Sequence, residues 1–149
     1  MCLALITKIY DEPLKKKQKA WKLLHQNQDK KLETPFQYME VKIGEQYEVK
    51  DTWPLPIFPV DGVSELEKGK PLPVYPCGFH VYKTKSEATK AAQLTDYPGA
   101  NWKVFEVEVE DVVAEGIDGT AYSTAEQRIR NLVALKMKIL REVPSDELG

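Results

Sequence analysis

Residues 2–10 alternate loosely between apolar and polar positions, with the β-favouring Ile6, Thr7, Ile9 and Tyr10, and predict a short strand stopped by Asp11-Glu12-Pro13. The next stretch reads two ways. Lys15, Lys16, Lys17, Lys19 and Lys22 with Trp21, Leu23 and Leu24 suit a short amphipathic helix. Equally, residues 20–25 suit a strand that turns through Gln26-Asn27-Gln28-Asp29 into Lys31-Leu32-Glu33, and periodicity does not separate the two. In residues 37–49 the apolar positions Tyr38, Val41, Ile43, Tyr47 and Val49 are interrupted by Gly44-Glu45, which predicts two strands or one bent strand.

From Trp53 to Pro76 the chain holds Pro54, Pro56, Pro59, Pro71, Pro73 and Pro76 with Gly62 and Gly69. Missing amide donors and fixed φ at that density exclude central strands, leaving a long loop with one helical turn at Ser64-Glu65-Leu66-Glu67. Loops of that length in a domain are usually functional or mobile. Phe79 to Tyr82 then reads as a strand, followed by a helix to about Gln93 with Ser86 as its N-cap and Thr84 as the competing cap.

Asp96-Tyr97-Pro98-Gly99 is a turn signal. Residues 102–109 alternate, with Trp102, Val104, Val107 and Val109 set against Lys103, Glu106, Glu108 and Glu110; Phe105 is the odd partner on the polar side, where it predicts a second, smaller contact. Val112-Val113-Ala114-Glu115-Gly116 closes this hairpin-like stretch, and Asp118-Gly119 signals a turn. Ser123 or Thr124 suits the cap of a helix over residues 125–131, and period-2 alternation over residues 133–139 predicts a terminal strand before a polar tail. The class expected is α+β: a mostly antiparallel sheet with one or two helices and a long Pro-rich loop, in a single domain over residues 1–149.

Composition agrees with one globular domain: 149 residues, 42% hydrophobic and 30% charged. Twenty-one Lys and Arg against 23 Asp and Glu leave a net charge of −2, so no global field draws the chain to nucleic acid or an anionic membrane. The run Leu3-Ala4-Leu5-Ile6 is broken by Lys8 and Asp11, far short of the roughly 18 apolar residues of a membrane span, and no basic region precedes it; a cytoplasmic protein is expected. Cys2 and Cys77 are too few for a disulfide framework or a four-cysteine zinc site, and both are expected as reduced thiols.

Candidate chemistry centres on Cys77-Gly78-Phe79-His80-Val81-Tyr82. An imidazole with an ordinary pKa of roughly 6.5 beside Phe79 and Tyr82 suits proton transfer or anion recognition; the plainer reading is a histidine satisfied by backbone. Cys77-x-x-His80 offers two metal ligands, but tetrahedral zinc needs at least one more side chain, so metal is disfavoured. Cys77 as a nucleophile would need a base and an orienting group, and Cys2 would need removal of Met1; a buried small hydrophobe is the better reading. The Lys15 to Lys22 cluster with Trp21 suits phosphates and a stacked base, yet Glu106, Glu108, Glu110 and Asp111 offset it, which disfavours nucleic acid. Arg128 and Arg130, with Lys136 and Lys138, suit an anion site through bidentate guanidinium contacts. No Gly-rich phosphate loop, Ser-His-Asp order or His-Glu-x-x-His motif occurs, and no cofactor is expected.

In order, Trp21-Lys22-Leu23-Leu24, Leu32-Glu33-Thr34-Pro35-Phe36, Gly44-Glu45-Gln46-Tyr47, the Cys77–Tyr82 motif followed by Glu87-Ala88, Val104-Phe105-Glu106-Val107 and the run from Val133 to Ile139 resemble small uncharacterised domains of phages and prophages. That resemblance covers about residues 20–142; it implies an α+β fold with an antiparallel sheet, favours a strand at Trp21-Lys22-Leu23-Leu24 and implies no activity. Gly78-Phe79-His80-Val81-Tyr82 leading into Ser86 and Ala88 also resembles the strand and following helix of ADP-ribosyltransferases. There an aromatic flanks the nicotinamide of NAD, an earlier histidine or arginine holds the ribose and a late glutamate polarises the reacting centre; the candidates for the last two roles are His25 and Glu126.

The leading expectation is a non-catalytic binding module of phage type that holds a host protein or a nucleotide-like, phosphate-bearing small molecule, in the host cytosol, to blunt a host defence. Its ligand would sit near Phe79, His80 and Tyr82, with Arg128 and Arg130 as anion contacts. The rivals are an NAD-using enzyme and a protein inhibitor acting through the Pro-rich loop. Self-association is left open.

Overall fold

A computed structural model describes residues 3–34, 39–94, 102–119 and 128–148. Its elements are β1 (Leu3–Leu14), β2 (Gln18–Gln26), β3 (Leu32–Glu33), β4 (Glu40–Val41), β5 (Gln46–Glu48), β6 (Pro54–Pro56), β7 (Val74–Pro76), β8 (Phe79–Tyr82), α1 (Lys85–Leu94), β9 (Trp102–Asp118) and β10 (Arg130–Glu142), followed by a 3-10 turn at Ser145–Glu147. Every strand pairing among the described residues is antiparallel.

The long strands β9 and β10 form the spine, paired from Arg130 opposite Ile117 to Glu142 opposite Phe105 with register shifts after Val133 and after Ile139. At 17 residues β9 outruns any single neighbour: its first half pairs β2, and its second half pairs β1. Likewise β10 takes β8 at its start and β5 further on. Where Trp21 meets Tyr82, β8 touches β2, so the path β2-β9-β10-β8 returns to its starting strand as a small ring.

Each strand of the ring contributes to one inner cluster, including Ala20 and Leu24 from β2, Val81 from β8, Phe105, Val107 and Val109 from β9, and Leu132, Met137 and Ile139 from β10. The ring is also covered outside. Helix α1 lays Ala88 and Ala91 on Leu23, Tyr82 and Val104, while Ile57 and Tyr75 from the ribbon side pack on Leu3, Val113, Ala114 and Val133. Burial on both faces erases the alternation that marks a one-sided strand. This is why periodicity left residues 20–25 undecided: Ala20 and Leu24 serve the inner cluster and Trp21 and Leu23 the outer one, in a strand.

The same cause corrects the phase of β9. Phe105 stands with Val107 and Val109 in the inner cluster, whereas Trp102 and Val104 belong to the α1 side. No break follows Val109: the strand runs on to Asp118, with Asp111 at φ 59 marking an irregularity in place of a hairpin. At the N-terminus β1 continues through Pro13 to Leu14 instead of stopping at Asp11, as an edge strand allows because a missing N–H there breaks no ladder.

β2 and β3 form the hairpin of the second of the two readings, His25 opposite Glu33, closed by Asn27 Oδ1, which accepts from the Asp29 and Lys31 amides at 2.9 and 3.0 Å. Between residues 37 and 49 two short strands form, β4 and β5, about the turn at Gly44, whose φ of 89° favours glycine. Thr84, not Ser86, caps α1: its Oγ1 accepts from the Glu87 amide at 3.2 Å and donates to Glu87 Oε1 at 2.9 Å. The Pro-rich segment is not wholly loop, since its ends pair as the β6–β7 ribbon. Its helical turn lies earlier than expected, where the Val63 and Ser64 amides donate to Val60 O, and the stretch 64–67 is irregular. Arg130 and Asn131 are extended in β10, so the helix over residues 125–131 is not formed at its end; its cap, and the turn at residues 96–99, lie outside the described residues.

Candidate functional site

Strand β8 lies so close to β10 that a Cβ at position 78 would stand 2.6 Å from the Ala134 carbonyl oxygen; only glycine lets the motif enter the sheet. His80 follows at 6% exposure and uses both ring nitrogens. Nδ1 lies 3.1 Å from Gly78 O, and since a carbonyl only accepts, this nitrogen donates. Nε2 therefore accepts from the Tyr75 hydroxyl at 2.9 Å, and the Tyr75 oxygen accepts from the Leu3 amide at 2.8 Å. Burial, with the charge of Lys22 beside it, pushes the imidazole down to about 3. His80 is thus a neutral, fully bonded interior group.

Tyr82 is 1% exposed; burial, then the charge of Asp118 and a hydrogen bond to it, push its hydroxyl well above the usual range. Phe79 packs half-buried against the inner cluster. Cys77 is buried too, its amide on Trp53 O at 2.9 Å and its carbonyl accepting from Thr52 Oγ1 at 2.6 Å. Lys22 is the notable neighbour. Its ammonium is buried and donates to His80 O at 2.8 Å; burial lowers it to about 8, with Asp118 partly opposing.

The sequence placed a ligand near Phe79, His80 and Tyr82; the structure turns His80 and Tyr82 into the protein, and their polar atoms serve the protein itself. Arg130 is close by, but its guanidinium grips Glu87, Nη2 donating to Oε1 at 2.8 Å and Nε at 3.1 Å, and its own amide donates to Glu87 Oε2. Burial pushes the Glu87 carboxyl up, yet the Arg130 and Thr84 bonds outweigh it and hold it below its ordinary value. Arg128 is exposed at φ 37, and Lys136 reaches Asp111 at 3.6 Å, so Arg130 and Lys136 are each engaged with a different carboxylate.

The Lys15 to Lys22 cluster is likewise engaged: Lys15 pairs Asp111 at 3.1 Å and Lys19 pairs Glu106 at 3.1 Å. His25 lies at the far end of β2, edge-on to Trp102 at 5.7 Å, and four residues, or roughly 13 Å at strand spacing, beyond the contact of Trp21 with Tyr82. Glu126 and Cys2 lie outside the described residues. Among the described residues no three His, Cys, Asp or Glu side chains are grouped to hold a metal, and no helix is long and apolar enough to cross a membrane.

The Pro-rich segment, which the sequence offers to a protein inhibitor, carries the outer face of the β6–β7 ribbon. Leu55 and Tyr75, opposite each other, point inward, so Pro56 and Val74 share the outer side. One step further along that side come Phe58 and Leu72. Phe58, Leu72 and Val74 on that side and Leu66 in the loop are 40–54% exposed; Trp53, in phase with the inward Leu55, is exposed as well. The loop beyond bends over an open concavity of about 580 Å³ between Glu65, Leu66, Lys68, Leu72 and Pro73. The legible signal was the alternation of proline with apolar residues at 54–59 and 71–74. Comparison with family models, with curated proteins and with solved structures found no match.

Proposed function

We propose that this chain is a non-catalytic binding module that holds a partner protein on the outer face of the β6–β7 ribbon and its loop. The observation that carries the reading is the exposure of the apolar side chains of Phe58, Leu72 and Val74 on the outer side of the ribbon, with Leu66 in its loop. Contiguous exposed apolar surface is characteristic of docking sites. Proline at 54, 56, 59, 71, 73 and 76 reduces the entropy that the segment loses on binding. The inner face, through Ile57 and Tyr75, fastens the ribbon to the sheet, so the outer face is presented on a fixed support. With the phage-type resemblance, the partner is a host protein and the contact blocks its action.

Affinity capture with wild-type and Phe58→Asp/Val74→Asp chains tests this. Both positions are exposed, so the double variant should keep its fold and its stability within about 0.5 kcal/mol. A protein retained by the wild type and lost by the folded variant supports the proposal; equal retention by both refutes it.

A further inference from the structure

Resting on that reading, we infer that the β6 edge is read by a partner groove lined with aromatic side chains that donate N–H or O–H bonds, in the manner of domains that recognise proline-rich segments. The amide of Cys77 donates to Trp53 O at 2.9 Å and that of Ile57 to Pro73 O at 3.1 Å, which makes 53 with 77 and 57 with 73 hydrogen-bonded pairs. Pair types alternate along an antiparallel ladder, so Pro54, Pro56 and Phe58 turn their backbone groups outward from the ribbon.

Proline has no N–H, and the Phe58 amide is taken by Leu3 O at 2.8 Å. What this edge offers over Pro54 and Pro56 is therefore carbonyl acceptors without donors. A strand adding itself to the edge needs both, and would find half its bonds missing. The side chains beside those carbonyls, Pro54, Pro56 and Phe58, and Leu72 and Val74 across the same face of the ribbon, are all apolar and carry no charge. An acceptor row set in neutral apolar surface is complementary to a neutral donor on a large apolar body, which is an indole or a phenol. Grooves built from such side chains take proline-rich segments by this combination of ring contact and donated bonds.

The test is carbon–proton correlation spectroscopy of the full chain, titrated with N-acetyltryptophanamide and with its indole N-methyl analogue. The expected result is saturable shifts at Pro54, Pro56, Phe58, Leu72 and Val74 with the first probe, weaker by roughly threefold or more with the second, the loss of one neutral hydrogen bond. Val74→Asp should abolish them. Equal binding of both probes on these residues overturns donor recognition while leaving the docking face intact; no saturable shift there with either probe overturns both.

Discussion

Lys22 gives the sharpest physical prediction. The strand pair β2–β8 that closes the ring meets at a single residue pair, and the Lys22 ammonium supplies a further link by donating to His80 O. Burial lowers this amine from 10.5 to about 8. At about 1.36 kcal/mol per unit, the folded protein holds that charge at a cost of about 3 kcal/mol relative to the unfolded chain. Between pH 8 and 10.5 the unfolded chain keeps the proton and the folded chain releases it, so stability rises with pH through this window and the gain is lost as pH falls through 8. Integrated from pH 7 to 9.5 the rise is about 2 kcal/mol, or about 1 M in urea midpoint at a slope near 2 kcal/mol per M. Above pH 10 the raised Tyr10 and Tyr82 hydroxyls act oppositely, because there the unfolded chain releases protons first. The assay is urea unfolding of the wild type and Lys22→Met at half-unit steps from pH 7 to 9.5. The wild-type midpoint should climb and the variant's stay level. A level wild-type midpoint, or an equal climb in the variant, refutes the reasoning.

Tyr75→Phe deletes the hydroxyl shared by His80 Nε2 and the Leu3 amide, leaving two buried groups unpaired; a loss of about 2–4 kcal/mol in urea unfolding is expected, and under 0.5 kcal/mol would disprove the relay. Gly116→Ala places a Cβ 2.1 Å from Leu5 O, so β1 must shift from β9 at a cost of about 1–3 kcal/mol, visible as faster amide exchange along β1; unchanged exchange contradicts the close approach. For Glu87 with Arg130 a double-mutant cycle, Glu87→Gln against Arg130→Met, should return a coupling of about 1 kcal/mol at pH 7. Since the folded carboxyl is held below its unfolded value, this coupling is complete above the unfolded value and disappears as pH falls through the folded one; a coupling that persists in acid would show it is not ionic.

Residues 79–82 read as a strand, and period-2 alternation over residues 133–139 predicted another, from local residues alone; both lie within strands. The helix after Thr84 and the turn at Gly44 were legible for the same reason: caps and positive φ depend on a few neighbours along the chain. Proline spacing marked residues 53–76 as unfit for a central strand, though not that the two ends would pair as a ribbon.

Only the tertiary structure decided which faces are inside. Closing β2 on both β8 and β9 buries both sides of the strands, so Phe105 changes side relative to its expected phase and residues 20–25 show no readable period. The candidate site failed in sequence for the same cause. His80 and Tyr82 look like functional groups until Tyr75 and Asp118, brought by the ribbon and by the end of β9, satisfy them in the interior. Proline density marked the segment as a loop, but packing of the ribbon on the sheet decides which of its apolar side chains are covered and which stay open. Residue type announces what a group is capable of; burial and partners, set by contacts between distant parts of the chain, decide whether it faces a ligand or the protein's own backbone.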